Sequence, residues 1–106
     1  MTIVELIDHL KTRDLAEKLV SEIIPDVEFD MIIIYMKNEV ALEAEISFFD
    51  FDTISNELIM EINGEKYAYF FGLEDAQEMV EGYMEEHAPT NLQMAQRMIA
   101  YNINDA

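Results

Sequence analysis

Asn63-Gly64 is the sharpest local constraint in this chain. Both residue types tolerate the positive φ that a two-residue type I′ turn demands, and the turn is flanked by runs rich in Ile, Tyr and Phe. A turn of that kind also fixes the register of the hairpin it closes. Met60 then faces Tyr67 and Leu58 faces Tyr69, while on the opposite side Glu61 meets Lys66 as a cross-strand ion pair.

A second hairpin is predicted upstream, where polar and apolar residues alternate. With Asn38-Glu39 as a two-residue turn, Tyr35 faces Leu42, Ile33 faces Ala44, Met31 faces Ile46 and Phe29 faces Phe48. That face is wholly apolar. The other face pairs Ile34 with Glu43, Ile32 with Glu45 and Asp30 with Ser47. A slip of one residue would turn Glu43 and Glu45 towards the core, so the pattern selects this register. Asp50 to Asn56 connects the two hairpins.

Helices flank the strands. Thr2-Ile3-Val4-Glu5 has the form of a capping box, and Ile3, Leu6, Ile7 and Leu10 share one helical face. Leu15, Ala16, Leu19, Val20 and Ile23 also share a face, rotated by roughly half a turn at about 100° per residue. This predicts a break near Lys11–Asp14, with Asp14 and Glu17 as a second capping box, and an end before Pro25. Leu73 to His87 reads as a helix with Leu73, Ala76, Val80, Tyr83 and Met84 inward. Thr90-Asn91-Leu92-Gln93 caps a last helix that buries Leu92, Ala95, Met98, Ile99 and Ile103. The expected fold is α+β: an N-terminal helical segment, a four-stranded antiparallel sheet of two hairpins, and two C-terminal helices. Residues 1–106 are expected to form a single acidic α+β domain.

Composition narrows the function. The chain has 23 Asp and Glu against 6 Lys and Arg, a formal charge of −17, yet 51% of its residues are apolar, enough to build a core. A field of that sign repels phosphates, which argues against direct binding to nucleic acid or to an anionic membrane. With no cysteine there is no disulfide, thiolate zinc site or catalytic thiol. No signal peptide and no run of roughly 18 apolar residues is evident, so a cytoplasmic location is expected, that of the host cell if the protein is phage-encoded.

The catalytic inventory is poor. His9 and His87 lie far apart, outside any metal or triad spacing. Asp50-Phe51-Asp52 suggests a calcium loop, but a twelve-residue frame from Asp50 puts Ile54 at a ligand position and Ser55 where the turn glycine belongs. Ser21, Ser47 and Ser55 lack a nucleophile elbow, and Gly64, Gly72 and Gly82 form no phosphate loop. The eight methionines, Met94 and Met98 among them, are assigned to packing. Tyr67, Tyr69 and Tyr83 are too, with anchoring a partner as their other role. We expect no enzyme, cofactor or metal site.

The acids themselves are the functional candidate. On a helix from Leu73, Glu74, Glu78, Glu81 and Glu85 project within about 60° of one another, flanked by Asp75 and Glu86. None has a Lys or Arg at i+3 or i+4, and like charges at those spacings cost the helix about 0.2–0.5 kcal/mol each. Solubility alone is the competing explanation. Glu43, Glu45, Asp50 and Asp52 are candidates to extend the patch.

Met1, Ile3, Leu6, Ile7, Lys11, Asp14, Lys18 and Leu19 match the start of a small Listeria-phage anti-CRISPR family, which the N-terminal fifth of the chain resembles. Members of that family are small and acidic, with an N-terminal helix, a short antiparallel sheet and two terminal helices. The resemblance implies a DNA mimic that occupies the protospacer-adjacent-motif site of guide-loaded Cas9. The family's target-binding acids do not align onto Glu74–Glu86, so those roles are not carried over. The expected function is thus an acidic inhibitor of a basic nucleic-acid-binding protein. The alternatives are an immunity or regulatory protein that caps a toxin or other partner by shape, and an oligomeric accessory protein.

Overall fold

The computed structural model describes residues 1–54, 58–87 and 89–105. The expected connection between hairpins ends at Asn56 and the calcium frame passes through Ser55; both lie outside the described residues.

α1 (Ile3–Ile7) opens on the expected capping box. The Thr2 amide donates to Glu5 Oε1 at 2.9 Å and the Glu5 amide returns to Thr2 Oγ1 at 3.5 Å. These bonds to Thr2 hold the Glu5 carboxyl below its ordinary pKa. Ile3, Leu6, Ile7 and Leu10 are all fully buried. The break follows, and α2 (Arg13–Ile23) restarts on Thr12, whose hydroxyl accepts from the Leu15 amide. Thr12 therefore takes the capping role expected of Asp14, and Glu17 instead accepts from Arg13 Nε at 3.0 Å. Only Ala16, Leu19 and Val20 of the expected α2 stripe are buried, leaving Leu15 and Ile23 exposed.

Four antiparallel strands follow: β1 (Ile32–Lys37), β2 (Ile46–Asp50), β3 (Ile59–Ile62) and β4 (Glu65–Gly72). Their order across the sheet is β2-β1-β4-β3. The β3–β4 hairpin has the expected register, with Met60 opposite Tyr67 and Glu61 opposite Lys66. Asn63 and Gly64 adopt φ values of 53° and 81°. The expected Glu61–Lys66 ion pair is not among those formed by the described residues.

The β1–β2 register differs by five residues from the expected one, because Tyr35 lies opposite Ser47 rather than Leu42. A two-residue type I′ turn needs positive φ at both positions. Asn38 supplies it at 71°, but Glu39 does not. The chain instead makes a longer connection whose Val40, Leu42 and Ala44 pack against the core as half-buried side chains. Phe29–Met31 forms a short 3₁₀ turn rather than strand. The inward phase of β2 is as expected, with Ile46 and Phe48 facing the helices, but that of β1 is inverted. Ile32, Ile34 and Met36 enter the core, while Tyr35 lies on the other face.

β4 carries a bulge. Ile34 pairs with Phe71 and the next residue, Tyr35, pairs with Tyr69, leaving Phe70 as the extra residue. The consequence is that Phe70 and Phe71, adjacent in sequence, both enter the helix-covered core. Tyr69 keeps to the opposite face, where Tyr35 meets Phe49 and Tyr69 edge-to-face at 5.5 and 5.7 Å.

α3 (Leu73–Met84) starts directly from β4, and α4 (Asn91–Asp105) closes the chain. α3 stops short of the expected His87, and Met84 is exposed rather than inward. α4 opens on the expected reciprocal bonds between Thr90 and Gln93, at 2.8 and 3.1 Å. Its buried residues are Met94, Ala95, Met98 and Asn102, whereas Leu92 and Ile103, expected inside, are exposed. No helix among the described residues is long and apolar enough to cross a membrane.

Candidate functional site

The rotation of α3 is set by what it buries. Leu73, Ala76, Gln77 and Val80 face the core, and Gln77 is only 2% exposed. A buried amide needs partners. Gln77 Nε2 donates to the Leu10 carbonyl at 3.2 Å, beyond the end of α1, and to Glu81 Oε1 at 2.6 Å. This cross-link fixes which arc of α3 remains in solvent. Asp75, Glu78 and Glu81 are exposed on it and Glu74 is half-buried, while Glu85 and Glu86, expected on the same helix, are exposed at its C-cap and in the turn beyond.

Not all of these acids are uncompensated. Glu74 Oε2 accepts from Arg13 Nη1 of α2 at 3.0 Å. Glu86 Oε2 accepts from Arg97 Nη1 of α4 at 2.6 Å. The bond to Arg97 holds the Glu86 carboxyl below its ordinary pKa, and Arg97 is raised in return. The expected absence of compensation thus holds for the i+3 and i+4 positions but not for tertiary contacts. Asp75, Glu78, Glu81 and Glu85 make no ion pair with a described residue.

The other four candidates divide between the two ends of the sheet. Asp50 pairs with Ile32 at the end where Ile33 meets Gly72, directly before α3. Its side chain accepts from the Asp52 amide at 3.0 Å, which turns the chain there. The intervening Phe51 lines a cavity of about 310 Å³ together with Glu74, Asp75 and Asp30, an acid absent from the sequence candidates. Asp50 and Asp52 therefore lie towards the start of the α3 stripe.

Glu43 and Glu45 lie at the far end of the central strands, in the connection after β1. The Lys37 amide donates to the Glu45 carbonyl at 2.9 Å, and Lys37 lies opposite Tyr67, the full length of β1 from Gly72. At about 3.3 Å per residue, that separates them from the start of α3 by roughly 15 Å. Glu45 belongs to a distinct group in which Lys37 Nζ contacts Glu65 Oε1 at 3.1 Å. The Glu65 carboxyl, bonded first to Lys37 and then to the Tyr67 hydroxyl, is held below its ordinary pKa. Tyr67 and Tyr69 are half-buried on the sheet face away from the main core, whereas Tyr83 packs against that core beneath Arg97.

The contributions of Arg13, Arg97 and Asp30 have no local signature, because their partners come from other elements. Gln77 did have one: it is a polar residue on the apolar arc between Leu73 and Val80. Among the described residues no three His, Asp or Glu side chains converge to hold a metal ion. Comparison with protein-family models, curated proteins and solved structures finds no match to this chain.

Proposed function

We propose that this protein is a non-enzymatic acidic inhibitor that occupies the nucleic-acid-binding surface of a basic partner. The N-terminal resemblance suggests an anti-defence role of the anti-CRISPR kind, exercised in the host-cell cytoplasm, with guide-loaded Cas9 as a specific candidate target.

The observation that carries this reading is the set of exposed carboxylates along α3 and at its C-cap, Asp75, Glu78, Glu81 and Glu85, left without ion pairs to described residues while Glu74 and Glu86 are tied down. From Glu74 to Glu85 the helix rises roughly 16 Å, a span over which one strand of B-DNA places about five phosphates. Arginine forks that grip phosphates bind carboxylates with the same two parallel hydrogen bonds. The charge that repels DNA is therefore suited to compete with it.

The test is displacement of labelled DNA from guide-loaded Cas9 and from a panel of restriction and repair enzymes at moderate salt. Displacement from one of them supports the reading. Failure against every basic target overturns mimicry, and binding that leaves DNA in place indicates capping by shape instead.

A further inference from the structure

Two arginines of this chain bind α3 in the same way. Arg13 places its guanidinium 4.2 Å from the centre of the Phe29 ring and donates to Glu74 at 3.0 Å. Arg97 places its guanidinium 4.1 Å from the centre of the Tyr83 ring and donates to Glu86 at 2.6 Å. In each case an aromatic face supports the plane of the cation while a carboxylate of α3 or of the turn that follows it accepts from one Nη1.

Beside the second of these sites, and sharing Tyr83 and Arg97 with it, lies a further set of the same components. A groove of about 600 Å³ runs along α3 and α4, lined by Phe71 and Met79 and, from α4, by Tyr101. The Phe71 and Tyr101 rings are 6.0 Å apart, and Tyr101 is 53% exposed. Asp75 and Glu78 line the same groove. At i and i+3 their Cβ atoms are about 5–6 Å apart, within the reach of one guanidinium. Neither pairs with a cation among the described residues. Arg97, which borders the groove, is already neutralised by Glu86.

We infer that this groove receives an arginine side chain of a basic partner protein, its guanidinium on Asp75 and Glu78 and its flat face against Tyr101. The inference rests on the reading above that the partner is basic, and adds which of its side chains is anchored and where. Charge complementarity selects this occupant: a second copy of the chain would bring another −17 towards the same acids.

The test is an NMR titration of the full chain with hexa-arginine, hexalysine and hexa-citrulline, following the ring resonances of Tyr101 and Phe71. Hexa-arginine is expected to shift those rings and to bind about two- to fivefold tighter than hexalysine, with hexa-citrulline inert. Tyr101→Ala should erase the preference for arginine, and Tyr101→Phe should restore it. Asp75→Asn with Glu78→Gln should weaken both cationic peptides. Equal binding of the two peptides, with unmoved rings and no effect of Tyr101→Ala, would overturn the groove assignment. So would sedimentation showing self-association that Tyr101→Ala abolishes. The inhibitor reading fails separately, through the absence of DNA displacement from any basic target.

Discussion

Asn102 donates its side-chain amide to the carbonyl oxygen of Phe70, 2.7 Å away and buried. Phe70 is the extra residue of the β4 bulge, where the ladder to β1 is interrupted. A bulge leaves backbone groups without ladder partners, and a buried carbonyl left unpaired is costly. One α4 side chain satisfies the irregularity that brings two phenylalanines into the core. Asn102→Ala should therefore lower unfolding stability by about 1–3 kcal/mol in urea titrations, with the m-value unchanged. A loss below about 0.5 kcal/mol would show that the carbonyl finds another partner.

Two glycines should respond in opposite directions to the same substitution. Gly64 holds φ at 81°, so Gly64→Ala strains the type I′ turn and should cost about 1 kcal/mol. Gly82 sits in the exposed part of α3, where an added methyl group would enter open space. Gly82→Ala should add about 0.5–1 kcal/mol by restricting the unfolded chain and raising helix propensity. Thermal unfolding of the two variants checks both signs.

Stability at low pH should depend on the paired acids. Hydrogen bonds to Lys37 and Arg97 depress the folded-state pKa values of Glu65 and Glu86 respectively. A depressed carboxylate contributes stability that is fully present above its unfolded pKa and lost as pH falls through its folded one. The other acids work against this, since protonating them relieves repulsion across a chain of charge −17. Comparison with a Glu65→Gln, Glu86→Gln variant removes most of that background. The stability gap between the two proteins should be flat above about pH 5 and shrink steadily below it. A gap that persists undiminished at about pH 3 would contradict the assigned shifts.

Local chemistry made part of this architecture readable in the sequence. The Asn63-Gly64 turn and the caps at Thr2 and Thr90 depend on residues no more than three positions apart. The phase of β1 does not, because Met31-Ile32-Ile33-Ile34-Tyr35-Met36 is apolar throughout and offers no alternation to choose a face. Which face enters the core is decided by pairing with β4 some 35 residues away, including a bulge that no local pattern announces. The acidic stripe was legible for the first reason, since helical spacing alone defines it. Its relief by Arg13 was not, because that contact joins residues 61 positions apart.

Salt should weaken partner binding steeply, since exposed charges more than about 8 Å apart are largely screened at physiological ionic strength. Affinity for the responsive target should fall progressively with added NaCl. A salt-independent affinity would shift the interaction from the α3 acids to apolar contact.

The role of α3 is tested most directly by the affinity of a Glu78→Lys, Glu81→Lys, Glu85→Lys variant for a target whose DNA the natural chain displaces. Circular dichroism and thermal unfolding should first confirm an intact fold: all three side chains are exposed, and Gln77, which loses Glu81 as an acceptor, keeps its bond to the Leu10 carbonyl. Loss of affinity by about 100-fold or more, with DNA displacement abolished, is the predicted result. An affinity equal to that of the natural chain would contradict the central claim and release α3 from the role proposed for it.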